Sequence, residues 1–183
     1  MRYIDFVDLE YEPSEKDLIC GFHLETAGPP LNIVAGGVAA ESSIGTWTEL
    51  TTVKPYMAGL QATTFEIKEN EISVAYPHEL FEPGNMPNIL SSVSGNVFGL
   101  EDIKSLRLNE IKFPAGLMEG FKGPKYGIDG IRKLLGINER PLVGTIIKPK
   151  LGLRTEDHAK IAYEAWRGGC DIVKDDENLS GQA

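Results

Sequence analysis

Cysteine, histidine and long apolar runs are scarce in this sequence. Its 183 residues include two cysteines, Cys20 and Cys170, too few for a disulfide framework, which predicts free thiols in a reducing compartment. None of the three histidines has a cysteine at zinc-site spacing, which argues against a zinc centre. No segment offers the roughly 18 apolar residues of a membrane span, and Asp5 interrupts any signal peptide. We therefore expect a cytoplasmic protein with no membrane partner.

Positive charge is also in short supply. Lys and Arg total 18 against 27 Asp and Glu, which gives a formal net charge of −9. No basic stripe is available to neutralise nucleic-acid phosphates, so a nucleic-acid partner is not expected. Neither of the glycine-rich nucleotide-binding motifs occurs. A phosphorylated small molecule would need a local concentration of lysines and backbone N–H groups.

Residues 1–114 show the pattern of an α+β domain. Within residues 65–76, apolar and polar residues alternate on both sides of a short turn at 68–71, which predicts a β-hairpin. A strand and a helix precede the hairpin, and Gly36-Gly37 weakens that helix. A second helix and a last strand follow, an order typical of a ferredoxin-like sandwich. The predicted single elements are the strands 17–24 and 105–113 and the helices 31–41 and 86–93.

Glycines become frequent after Pro114. Gly116, Gly120 and Gly123 predict a flexible linker. The apolar positions between 128 and 135 then fall on one helical face, and Gly136 ends that helix. We assign residues 115–140 as a linker and a helix.

Residues 141–183 have the texture of a parallel α/β fold. The run 141–148 is continuously apolar, as in a strand buried on both faces. A helix with Thr155 as its N-cap follows, and residues 170–173 form a second short strand. Strand, helix and strand in this order predict a βα unit followed by a parallel partner strand.

Charged residues follow both of these strands. Lys148-Pro149-Lys150 follows the first strand, and Lys174 to Glu177 follows the second. A single charged strand end is ordinarily a solvated loop. Two of them in adjacent βα units favour a functional site, because catalytic groups of parallel folds gather at the carboxyl ends of strands. The carboxylates suit a hard cation such as Mg²⁺ or Ca²⁺.

Five stretches of the chain carry a specific family resemblance when they are taken in order. They are VAAESSIGTW (38–47), VAYPHELFEPGNMPNILSSVSGNVFGL (74–100), LRLNEIKFP (106–114), GTIIKPKLGL (144–153) and GGCDIVKDDEN (168–178). Together they resemble the large subunit of ribulose-1,5-bisphosphate carboxylase/oxygenase, Rubisco. The stretch GTIIKPK is similar to that of bacterial and archaeal members of forms II and III. Plant-type members have a threonine where this chain has Ile146, which implies loss of a hydroxyl contact with the substrate.

The resemblance implies roles for the charged residues at the strand ends. Lys174 matches the lysine that an activating CO₂ molecule converts into a carbamate, which then binds Mg²⁺ together with Asp176 and Glu177. Because this reaction requires the neutral amine, we expect a partly buried Lys174 with a lowered pKa. Lys148 matches the catalytic acid and base near C2 of the sugar, and Lys150 matches the neighbour that tunes it. The position of Asp175 is not a ligand in the family.

Four residues of the N-terminal domain match substrate-binding positions. Thr46 and Trp47 match residues that hold one substrate phosphate, and Asn96 matches the asparagine that contacts the substrate near the metal. Glu41 matches the acid that pairs with a mobile-loop lysine. In the family these residues serve the barrel of a neighbouring subunit, so at least a dimer is implied. Without the resemblance, Trp47 would be interpreted as a core residue and Asn96 as a turn residue.

The implied function is carboxylation of ribulose 1,5-bisphosphate to two molecules of 3-phosphoglycerate through a Mg²⁺-stabilised enediolate. The resemblance also implies that residues 141–183 begin an incomplete TIM (β/α)8 barrel, with its first strand, first helix and second strand. A complete barrel needs about 250 residues, so we expect a C-terminal barrel chain as a partner in a split enzyme. A fragment of a longer protein and a non-catalytic assembly module are the alternatives. A Rubisco-like enolase or isomerase acting on a related sugar phosphate is a further alternative.

Overall fold

A computed structural model describes residues 2–48, 52–177 and 179. The chain divides into two compact units, one of residues up to Gly123 and one of residues from Pro124 onward. Each unit is described by itself. Among the described residues, no helix is both long and apolar enough to cross a membrane.

The first unit contains a four-stranded antiparallel sheet with helices in its connections. Its strand order β2-β3-β1-β4 and the chain order βαββαβ confirm the predicted ferredoxin-like arrangement. Alternate residues of β1 are buried, as a period of two requires for a sheet with one covered face. The elements are β1 (Leu18–Thr26), α1 (Leu31–Glu41), β2 (Thr63–Lys68), β3 (Glu71–Tyr76), α2 (Met86–Val93) and β4 (Ile103–Lys112).

Helix α1 is buried in this unit, and its two adjacent glycines allow another segment to pack closely on it. The first twenty residues contain a 3₁₀ helix, Tyr3–Phe6, which packs on α1 and buries Phe6 completely. A Cβ atom on Gly36 would lie 2.0 Å from the Tyr3 carbonyl oxygen, and one on Gly37 would lie 3.0 Å from the Tyr3 ring. The glycines that weaken the helix by propensity therefore admit the N-terminal segment to its surface.

The predicted flexible linker contains ordered structure. Residues Ala115–Met118 form a short helix, α3, and its Leu117 side chain is fully buried in the core of the first unit. The burial of Leu117 could not be predicted from the sequence, because one apolar side chain among glycines gives no periodic signal.

The second unit contains the predicted βαβ arrangement. After α4 (Gly127–Leu135), the chain order is β5 (Gly144–Ile146), α5 (Thr155–Arg167) and β6 (Ile172–Lys174). The two strands pair directly with each other and run parallel. Strand β5 is shorter than the predicted run 141–148, because only three residues find partners on β6. The prediction of Thr155 as N-cap was wrong. Arg154 holds that position, and its carbonyl accepts the first helical hydrogen bond from His158.

An ion pair joins the segments that enter the two parallel strands. Arg140 donates two hydrogen bonds to Asp171, at 2.7 and 2.8 Å, and the Val143 N–H donates a third at 2.8 Å. The hydrogen bonds from Arg140, followed by that from Val143, lower the pKa of Asp171 to about 2. The ionised carboxylate therefore holds the starts of β5 and β6 side by side.

This geometry predicts an acid-sensitive contribution to stability. The folded-state pKa of Asp171 is depressed, so its stabilisation is present above the unfolded-state pKa of about 3.9. That stabilisation is lost as pH falls through about 2. We expect Asp171→Asn to lower the melting temperature at neutral pH and to flatten its fall on acidification. The exposed Asp129→Asn is the matched control. Equal acid profiles for Asp171→Asn and wild type, measured by circular dichroism, would contradict this account.

Candidate active site

The carboxyl ends of β5 and β6 bring together residues from the two charged segments. Because the strands run parallel, both ends lie at one edge of the sheet. Lys148 follows β5 and donates a hydrogen bond to the Asp176 carboxylate, although 28 residues separate the two in sequence. In the strand register Ile146 pairs with Lys174. The position where plant-type Rubisco has threonine thus adjoins the predicted carbamate lysine.

Lys174 forms an ion pair in this structure. Its Nζ donates to Glu177 Oε1 at 2.7 Å, and 47% of its side chain is exposed. The hydrogen bond with Glu177 is the main cause that raises the pKa of Lys174, and nearby Asp175 and Asp176 add to it. The prediction of a lowered pKa was therefore wrong for this arrangement. The ammonium form is favoured here, whereas CO₂ reacts with the neutral amine.

The two predicted carboxylate ligands are both held in their ionised form. The hydrogen bond from Lys148 is the main cause that lowers the pKa of Asp176, and the charges of Lys174 and Lys150 contribute. Glu177 has a lowered pKa chiefly because of Lys174. Lys150 itself is exposed. Two anionic oxygen donors therefore lie among three lysines.

Asp175 points to a different partner. Its Oδ1 lies 2.7 Å from His158 Nε2 in the first turns of α5. Sequence reasoning considered His158 only as a zinc ligand and missed this contact. The contact could have been predicted from the element order, because the start of α5 and the end of β6 lie at the same edge of a βαβ unit.

The donor set fits a hard divalent cation only after chemical modification. The described part of the chain has no group of three or more His, Cys, Asp or Glu side chains placed to hold a metal ion. Asp176 and Glu177 supply two carboxylates, and Lys174 as a carbamate would supply a third anionic oxygen donor. Such oxygen donors match the preference of Mg²⁺.

In the first unit, two predicted residues from distant stretches meet. Asn96 Nδ2 donates to Glu41 Oε2 at 3.2 Å, across 55 residues of sequence. The second carboxylate oxygen, Glu41 Oε1, accepts a hydrogen bond of 2.9 Å from the Tyr3 hydroxyl. Tyr3 was missed by sequence reasoning, because nothing in the local pattern of an N-terminal tyrosine indicates a partner so far along the chain.

Thr46 and Trp47 follow the tightly held end of α1. The Ser42 hydroxyl donates to the Val38 carbonyl at 2.5 Å and lies 2.9 Å from the Tyr76 hydroxyl. Thr46 is half-buried, whereas Trp47 is 80% exposed, so the core interpretation of Trp47 was wrong. Trp47 lines a groove of about 450 Å³ together with Tyr3, Gly99 and Asp102. Its ring is available for contact with a ligand or another chain.

Both units match parts of one known family. Residues 5–117 match the ribulose bisphosphate carboxylase large chain, N-terminal domain. Residues 127–183 match the catalytic domain of the same large chain. The chain belongs to the Rubisco large-chain family, and its recognition as an N-terminal portion of that subunit is confirmed.

Several similar relatives come from archaea. The chain is 48% identical over 182 residues to the ribulose bisphosphate carboxylase of Methanosarcina mazei, covering 97% of this chain and 42% of the relative. It is 47% identical over 189 residues to that of Methanocaldococcus jannaschii, covering 98% of this chain and 44% of the relative. The chain thus spans less than half the length of these relatives.

Two solved archaeal Rubisco structures are similar to this fold. Octameric Rubisco from Pyrococcus horikoshii matches with a TM-score of 0.84 and 42% identity, covering 100% of this chain and 44% of that one. Dimeric Rubisco from Hyperthermus butylicus matches with a TM-score of 0.83 and 42% identity, covering 98% of this chain and 44% of that one.

Gly95 offers a test of how Asn96 is placed. A Cβ atom at Gly95 would lie 2.1 Å from the Ser91 carbonyl oxygen, at the end of α2. Gly95→Ala must therefore shift this backbone, and we expect a loss of about 1–3 kcal/mol in the free energy of unfolding. Gly99→Ala is the matched control, because no atom lies within 4 Å of its added Cβ. Urea denaturation curves that coincide for the two variants would contradict the close approach of Gly95 to the Ser91 carbonyl.

Proposed function

We propose that this chain supplies the N-terminal domain and the first barrel strands of an active Rubisco. In this proposal the complete enzyme carboxylates ribulose 1,5-bisphosphate to two molecules of 3-phosphoglycerate, and O₂ competes with CO₂ for the same intermediate. The observation that carries the proposal is the pairing of Lys148 with Asp176, beside Lys174 and Glu177, at the carboxyl edge of β5 and β6. Membership of the Rubisco family gives that pairing its chemical meaning.

Lys174, Asp176 and Glu177 are the proposed Mg²⁺ ligands, with Lys174 carbamylated by CO₂. When bound, the metal would supply positive charge beside the sugar carbonyl oxygen. Lys148 would hold and return the proton near C2, with Lys150 as its cationic neighbour. Asp176 accepts a hydrogen bond from Lys148 in this structure, and Asp176 would leave the Lys148 ammonium free for the substrate if its carboxylate held the metal instead.

The residues of the first unit are proposed to bind substrate in an assembled protein. Thr46 and Trp47 would hold a phosphate, Asn96 would contact the sugar, and Glu41 would pair with a barrel-loop lysine. These contacts require a neighbouring subunit's barrel in the family arrangement. The dimeric and octameric relatives support a homo-oligomer. The cytoplasmic location stays a prediction.

Activity also requires the rest of the barrel. The described second unit has two parallel strands, whereas a (β/α)8 barrel has eight and needs about 250 residues. We propose that the remaining segment completes the site when it is supplied on a separate chain. The corresponding segment of the Methanosarcina mazei relative, at 48% identity in the shared region, is a suitable source.

The function is tested by supplying that segment in two ways. The chain is fused to the barrel segment in one arm and co-expressed with it as a separate polypeptide in the other. We expect CO₂- and Mg²⁺-dependent formation of 3-phosphoglycerate in both arms, and its loss in Lys174→Met. The exposed α5 variant Lys160→Met is the matched control.

The outcomes separate the candidate functions. A fused protein that assembles well but forms no 3-phosphoglycerate would contradict the Rubisco proposal. Sugar-phosphate isomerisation without incorporation of CO₂ would instead support the enolase or isomerase alternative. Activity in the fused arm alone would contradict the separate-chain form of the proposal.

The ion pair between Lys174 and Glu177 predicts how readily the carbamate forms. Glu177 raises the pKa of Lys174 and so reduces the fraction of neutral amine at any given pH. We expect Glu177→Gln to increase carbamylation of Lys174 at about pH 9 without metal. Intact-mass measurement under dissolved CO₂ reports the modification, and Glu156→Gln is the control. A decrease in Glu177→Gln would show that the carboxylate promotes the reaction instead.

A further inference from the structure

The Tyr3 side chain joins the N-terminal segment to the predicted site of the first unit. Its hydroxyl donates to Glu41 Oε1 at 2.9 Å, while Asn96 donates to Glu41 Oε2 at 3.2 Å. Both carboxylate oxygens of Glu41 are therefore engaged by partners from different parts of the chain. Hydrogen bonds at both oxygens fix the plane of a carboxylate as well as its position.

The segment that carries Tyr3 is held at several points. The Arg2 N–H donates to Asp5 Oδ2 at 2.6 Å, and Gln61 Nε2 donates to the Asp5 carbonyl at 2.8 Å. The Asp8 N–H donates to the Thr64 carbonyl at 3.0 Å, beside β2. These bonds, together with the buried Phe6 ring, determine where the Tyr3 hydroxyl lies before any ligand binds.

Helix α1 has a surface shaped for this segment. Gly36 and Gly37 leave space that a Cβ atom at either position would close against Tyr3. Glu41 is the last residue of the same helix. One helix therefore holds the Tyr3 backbone at its middle and presents the partner of the Tyr3 hydroxyl at its end.

The phenol remains a hydrogen-bond donor over the working range of pH. Burial raises the pKa of Tyr3, and the hydrogen bond to Glu41 raises it further. A protonated phenol beside a carboxylate gives a charge-assisted hydrogen bond, which is stronger than one between neutral groups.

We infer that Tyr3 is a positioning residue that orients the Glu41 carboxylate and, through it, the Asn96 amide. The inference rests on the proposed function for its effect on turnover, but the hydrogen-bonded geometry is testable without it. No contact of Tyr3 with substrate is required. The N-terminal 3₁₀ helix thereby helps to fix the orientation of the proposed substrate-binding residues.

The first test needs only the 183-residue chain. Tyr3→Phe removes the hydroxyl and keeps the ring that packs on Gly37. Tyr11→Phe is the matched control, because Tyr11 donates a similar 2.8 Å hydrogen bond to Asp17. We expect the Asn96 side-chain amide resonances, measured by NMR, to shift in Tyr3→Phe and to stay in place in Tyr11→Phe. Unchanged Asn96 resonances in Tyr3→Phe would overturn the inference, whether or not the assembled enzyme is active.

The second test measures coupling in the enzyme completed with the barrel segment. We expect Tyr3→Phe to lower kcat/KM roughly tenfold, the size of one charge-assisted hydrogen bond. Tyr11→Phe should retain wild-type turnover. Added to Glu41→Gln, Tyr3→Phe should cause little further loss, because the bond it removes is already weakened. Losses that simply multiply would indicate a merely structural role for Tyr3 and would overturn the inference.

Discussion

The parallel pairing of β5 with β6 is the constraint on which the candidate active site depends. Three register pairs bring the carboxyl ends of two strands to one edge, although nearly thirty residues separate Lys148 from Asp176. The carboxylate of Asp171 fixes the opposite ends through Arg140 and Val143. The geometry of the candidate site at one edge thus relies on an ion pair at the other.

In the first unit, the residues predicted to bind substrate lie at the ends of well-packed elements. Helix α1 is buried over its central residues and ends at Glu41, where the chain turns out to the exposed Trp47. Its glycine pair accepts the N-terminal segment, and Gly95 lets the chain turn closely into Asn96. Small residues at these points therefore determine where the larger residues of the predicted binding face lie.

Several elements of both units could be predicted from the sequence, including α1, whose apolar residues show little helical periodicity. Helices α1 and α2 have the predicted bounds, and the ferredoxin-like and βαβ arrangements follow from element order. Contacts between distant segments were not predictable, and Tyr3 with Glu41 is the clearest example. The pKa of Lys174 was mispredicted because its nearest carboxylate and its exposure depend on folded geometry. The catalytic roles of the matched lysines and carboxylates remain proposals that came from family resemblance.

Carbon-13 NMR of the barrel-completed protein under labelled CO₂ tests the central claim most directly, because one spectrum reports both activation and turnover. The account predicts a Mg²⁺-stabilised lysine carbamate signal that disappears in Lys174→Met. After addition of ribulose 1,5-bisphosphate it predicts labelled carboxyl carbon in 3-phosphoglycerate. A folded, assembled protein that shows neither the carbamate signal nor labelled product would contradict it.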